Sequence, residues 1–130
     1  MERFLQAKHI IQIDDLSRND IEEIFSLAEY YLQKNKNEVE QKHHLRSFTQ
    51  INVFFENSTR TLASFELAGK KLGGIVQDIR IANSSIQKGE TLIDTALTLN
   101  AMKPNLLVVR HSSSGAVNLL SEKVNCSVLN

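Results

Sequence analysis

The sequence predicts an α/β fold: a parallel sheet flanked by helices on both faces, forming a single three-layer domain over residues 1–130. Three observations point there. Four short apolar runs alternate with segments of helical character, an order that calls for crossover connections. Val53-Phe54-Phe55 and Leu106-Leu107-Val108-Val109 are apolar without alternation, as strands buried on both sides are. Chain breakers, Gly73-Gly74 and Pro104, stand where the first two crossover helices should end.

Taken in order, the first element is a helix opened by Ser17-Arg18-Asn19-Asp20. The serine hydroxyl accepts a free backbone N–H there, and the acid three residues on favours the positive helix end. Ile21, Ile24, Phe25, Ala28, Tyr31 and Leu32 recur at helical spacing and give one apolar face. The polar stretch from Asn35 to Ser47 reads as helix tail and connection. Strands are expected at Ile51 to Phe55, Ile75 to Ile79, Leu106 to Val109 and Ser127 to Leu129. Helices are expected between them, over Thr59 to Leu72, Glu90 to Met102 and Gly115 to Glu122. There is no internal repeat, low-complexity tract or linker. The last residues, Ser127 to Asn130, fall where a fourth strand would deliver a ligand-binding loop, so the chain reads as cut off.

Charge excludes several functions. Fifteen basic residues balance fifteen acidic ones, leaving no global field for nucleic acid or an anionic membrane. An anion site must therefore be local. Cys126 is the single cysteine, which rules out an internal disulfide and a cysteine-rich metal cage. No run approaches the ~18 apolar residues of a membrane helix, and no signal-peptide pattern is present. A soluble, cytoplasmic protein is expected. Adjacent His43 and His44 diverge on any regular element, and His9 stands alone, so no metal is expected.

The chemistry concentrates in Phe54-Phe55-Glu56-Asn57-Ser58-Thr59-Arg60-Thr61, which runs from a buried strand into a helix. Unpaired amides at such a helix start favour an anion. Ser58, Thr59 and Thr61 add hydroxyls, and Arg60 adds a planar guanidinium suited to phosphate. Local chemistry alone is equally satisfied by a Ser/Thr helix cap with a solvent-facing arginine. Arg110, leaving the end of the third strand, points toward the ligand crevice of a parallel sheet. Ser84-Ser85-Ile86-Gln87-Lys88-Gly89-Glu90-Thr91, read bare, is a solvated loop.

Phe55-x-x-Ser58-Thr59-Arg60-Thr61, followed by Ser64-Phe65-Glu66 and Leu72-Gly73, resembles the carbamoyl-phosphate signature of the aspartate and ornithine carbamoyltransferases. The resemblance covers essentially the whole chain but only the first half of a family member. It implies that Ser58, Thr59, Arg60 and Thr61 hold the phosphate. Arg110 would bridge phosphate and carbonyl oxygen, with Thr61 helping to polarise the carbonyl. Ser84 and Lys88 would reach a neighbouring subunit's site in a homotrimer, with Glu90 holding their loop. The implied reaction transfers the carbamoyl group to the L-aspartate amine, with no cofactor. L-Aspartate itself would be gripped by a second domain that is absent here, so the isolated chain is expected to be inactive. Glu56 and the Lys88-Gly89-Glu90-Thr91 run favour aspartate over ornithine as acceptor. A non-catalytic binding or assembly module is the alternative of a different class. Three positions depart from the family pattern: Leu62 and Gln87 where relatives carry basic residues, and Ser112 where proline usually follows His111.

Overall fold

The apolar runs are strands, and their flanks decide how far each extends. The computed structural model describes residues 5–35, 44–81 and 91–130. Its strands are β1 (Thr49–Phe54), β2 (Ile75–Arg80), β3 (Leu106–Arg110) and β4 (Ser127–Leu129). Its α-helices are α1 (Arg18–Asn35), α2 (Thr59–Lys71), α3 (Leu92–Ala101) and α4 (Ala116–Lys123), with a short 3-10 turn at Ile13–Asp15. All strand pairs are parallel, in the order β2-β1-β3-β4, so the expected architecture is the observed one.

The two sheet faces differ in chemistry. On one, Ile51, Val53, Leu107, Val109 and Val128 pack against Ala96 and Leu99 of α3 and Val117 and Leu120 of α4. Val53, Leu107 and Leu120 are wholly buried, each worth about 1.5–3 kcal/mol in area removed from water. On the other face, Phe54 and Val108 meet Leu62 and Phe65 of α2.

Beneath α2 the sheet is polar. Asn52 is fully buried; its Nδ2 donates to Asp78 Oδ1 at 2.8 Å and its Oδ1 accepts from Gln50 Nε2 at 2.9 Å. Gln50 Nε2 also donates to the Phe65 carbonyl at 3.0 Å, tying strand to helix. Gly69 makes this approach possible, because a Cβ there would stand 2.5 Å from Gln50 Oε1. Burial pushes the Asp78 carboxyl above the usual range, opposed by the Asn52 hydrogen bond and reinforced by one to Glu66. Its neighbour Glu66 is held below the usual range, first by Lys70 and then by Asp78. The apolar run starts at Ile51, but β1 starts at Thr49: Gln50 is held by the amide chain, and the Thr49 amide donates to Asn105 Oδ1 at 2.8 Å.

Two further findings were not legible beforehand. The N-terminal segment runs parallel beside β4: Ile10 N donates to Val128 O and Asn130 N to Ile10 O, both at 2.9 Å. The Val128 amide donates to His9 Nδ1 at 3.1 Å, giving that histidine a structural task. The apolar face expected on α1 is also only partly covered among the described residues. Phe25, Ala28 and Leu32 are exposed, and Ile21, Ile24 and Tyr31 are half-buried. Periodicity tells which residues share a face, not whether a neighbour lies over it.

Candidate functional site

Three of the helix starts share one residue chemistry, and they are used differently. At α1, the Asp20 amide donates to Ser17 Oγ at 3.1 Å, while Ser17 N and Oγ both donate to Asp20 Oδ2. At α3, Thr91 Oγ1 accepts from the Asp94 amide and Asp94 Oδ2 from the Thr91 amide. Both starts are sealed by their own side chains. At α2 the N-cap is Ser58, yet its side chain makes no capping hydrogen bond and the first turn carries no acid. Among the described residues the first α2 amides have no side-chain partner. Of the reading that joins a Ser/Thr helix cap to a solvent-facing arginine, the Ser58 cap is not formed, while Arg60 does face solvent.

An open cleft of about 580 Å³ lies in front of that start, lined by Phe55, Glu56, Asn57, Ser58, Thr59, Arg80 and Ser112, with Phe54, Leu62 and Ile81 behind. It sits at the C-terminal ends of β1, β2 and β3, where a parallel sheet offers its ligand crevice. Arg110 stands beside it. Its Nε donates to Glu56 Oε1 at 2.7 Å, and the Phe55 amide donates to its carbonyl at 2.9 Å, fixing the β1–β3 register at the cleft edge. His111 packs its ring on Phe55, with centroids 4.7 Å apart, and its Nδ1 accepts from Ser113 N. That is a packing and turn-making role.

Ser58, Thr59 and, through Glu56, Arg110 are thus brought together. Thr61 is half-buried in the first turn of α2 and is not a cleft wall. The Arg60 guanidinium is exposed and lies outside the lining, with no hydrogen bond among the described residues. Ser84, Lys88 and Glu90 fall outside the described residues. Arg80 and Asn57 were not singled out from the sequence. Arg80 ends a strand just as Arg110 does, so the rule that found one cation would have found the other. No group of three or more His, Cys, Asp or Glu able to hold a metal occurs among the described residues. No described helix is long and apolar enough to cross a membrane.

Comparison with known proteins shows the family and the fold. Residues 8–130 match the family model for the aspartate/ornithine carbamoyltransferase, carbamoyl-P binding domain. The chain is 56% identical over 125 residues to the aspartate carbamoyltransferase catalytic subunit of Cereibacter sphaeroides, covering 96% of this chain and 39% of that protein. It is 59% identical over 123 residues to the corresponding subunit of Ruegeria pomeroyi, covering 95% and 40%. Among solved structures, the aspartate transcarbamoylase of Trypanosoma cruzi in complex with carbamoyl phosphate superposes with a TM-score of 0.86 at 35% identity, covering 97% of this chain and 40% of that one. The catalytic subunit of M. jannaschii aspartate transcarbamoylase gives 0.80 at 37% identity, covering 95% and 41%. The chain therefore spans about two-fifths of the length of the relatives it matches.

Proposed function

The chain belongs to the aspartate/ornithine carbamoyltransferase family, matching its carbamoyl-phosphate-binding domain, and from that premise we propose that residues 1–130 are the phosphate-gripping part of an aspartate carbamoyltransferase. The observation that carries the reading is the unsealed start of α2 over the cleft, with Ser58 making no cap and no acid in the first turn. Free amides and an aligned helix dipole favour a dianion at that point. The relatives at 56% and 59% identity are named for aspartate, which supports that acceptor over ornithine.

In the proposed reaction the aspartate amine attacks the carbonyl carbon of carbamoyl phosphate. The bond from that carbon to the phosphate oxygen breaks, the proton lost by the amine passes to the departing phosphate, and N-carbamoyl-L-aspartate and phosphate leave. No covalent enzyme intermediate is required. Ser58, Thr59, Arg60 and Thr61 hold the phosphate through amides, hydroxyls and the Arg60 side chain, which must swing inward from its exposed position. Arg110 exchanges Glu56 for the ligand and, with Thr61, polarises the carbonyl as the oxyanion develops. Glu56 thereby keeps that guanidinium at the cleft edge until an anion competes for it. Ser84 and Lys88 of a neighbouring copy complete the pocket in a homotrimer, and L-aspartate is held by a further domain. The 130 residues alone bind ligand weakly and do not turn over.

Calorimetric titration of carbamoyl phosphate into this protein and into Arg60→Ala tests the reading. Losing a charge-assisted contact of about 1.5–3 kcal/mol should weaken binding at least tenfold. Equal heats from the two proteins would remove Arg60 from the site.

A further inference from the structure

We propose that Arg80 is a further anion-binding residue of this cleft, supplying a positive charge not tied into an ion pair among the described residues, which captures the phosphoryl group before Arg110 is released from Glu56. The inference rests on the carbamoyl-phosphate reading above and deepens it.

The strand register places the residue. Phe54 of β1 pairs with Arg80 on one side and with Arg110 on the other. The three therefore stand level at the C-terminal ends of adjacent strands, and period-2 alternation puts all three side chains on the face that α2 covers. With neighbouring strands about 4.8 Å apart, the two arginine Cα atoms flank the start of α2 at roughly 10 Å from each other. A phosphoryl group docked on the α2 amides lies between them.

Charge separates the two. Arg110 is already neutralised by Glu56 at 2.7 Å. Among the described residues Arg80 has no hydrogen bond or ion pair, and it lines the cleft directly alongside Asn57, Ser58 and Thr59. The acids that face it are Glu56 across the cleft and, on the α2 side, Glu66, which is engaged first by Lys70 and Asp78 and feels the Arg80 charge more weakly, without an ion-pair contact. With the Glu56–Arg110 pair closed, the cation left at the cleft wall is Arg80. A guanidinium there offers two parallel N–H donors to a phosphate edge, and its field acts at a distance before contact is made.

The test is an NMR titration of the 130-residue chain with inorganic phosphate, following the amides of Thr59 to Leu62. Four proteins are compared: the parent, Arg80→Gln, Arg80→Lys and Arg60→Ala. Arg80→Gln should bind about tenfold more weakly at low ionic strength, with the gap narrowing as salt is added, and Arg80→Lys should recover much of the loss. Parent-like binding by Arg80→Gln while Arg60→Ala fails to bind would overturn the role of Arg80 and leave the site standing. A deficit that is independent of salt and not restored by lysine would also overturn it, reducing Arg80 to a structural neighbour of Glu66. If phosphate moves none of these amides in the parent, the carbamoyl-phosphate reading falls and this inference falls with it.

Discussion

The starts of α2 and α3 begin from nearly the same chemistry and end as opposites. Each has a hydroxyl residue at the N-cap, Ser58 and Thr91, ahead of a helix of ten or more residues. Three positions on, α3 has Asp94 and α2 has Thr61. The aspartate closes a reciprocal pair of hydrogen bonds on its own backbone, so the α3 amides are occupied and the dipole is met by a carboxylate. At α2 the same place holds a neutral hydroxyl, and the amides face a cleft. One start supports the fold; the other gives up that support to remain available. A single carboxylate decides between them.

The most forceful way to break this contrast is Thr61→Asp, which copies the α3 arrangement onto α2. Phosphate affinity should fall more than about a hundredfold, since two charge-assisted contacts are displaced and a like charge is added. The melting temperature should hold or rise, because a new cap is worth about 0.5–1 kcal/mol. Isothermal titration paired with thermal melts reads both, and undiminished phosphate binding would show that the α2 amides are not the site.

A smaller effect is expected from the reverse operation, Thr91→Ala. Removing the α3 cap should cost about 1 kcal/mol, a fall of roughly 4 °C in melting temperature for a domain of this size. Phosphate affinity should not change, and a matching drop in affinity would mean that the two starts are coupled.

The smallest effect is on pH dependence. Asp20, in the α1 cap, is held below the usual carboxylate range by the Ser17 hydroxyl and then by the Ser17 amide. A lowered folded-state value means that the unfolded chain binds more protons in the window. The contribution is therefore complete above the ordinary value near 3.8 and disappears as pH falls through the folded one. Asp78, beneath the open helix, is raised and has the opposite sign, its contribution being lost as pH rises. Melts across the acid range should show Asp20→Asn flattening the acid loss; an unchanged slope would remove the cap as its source.

Much of this was legible in the residues because it is local. Ser17-x-x-Asp20 announced a sealed helix start, Gly73 sits at a φ of 85° just past α2, and the unalternating strands are buried as read. Ser58 to Thr61 and the end of β3 were identifiable for the same reason, since a strand-to-helix turn and a strand-end cation are properties of a few consecutive residues. Glu56 reads as a family marker, but no local pattern reveals its ion pair with Arg110, 54 positions away.

By itself the sequence determined the element types, the alternation that makes the sheet parallel, and which helix start lacks an acid. These depend on hydrogen bonds and side-chain periods that operate within a single turn or strand. Tertiary structure alone decided the strand order, and with it the placement of Arg80 and Arg110 on either side of Phe54. It also decided that the Gln50–Asn52–Asp78 chain would anchor α2 and that Phe25 and Leu32 of the α1 stripe would stand exposed. Each of these is a meeting of segments far apart in the chain, fixed by the free energy of the assembled sheet rather than by any segment's own preference.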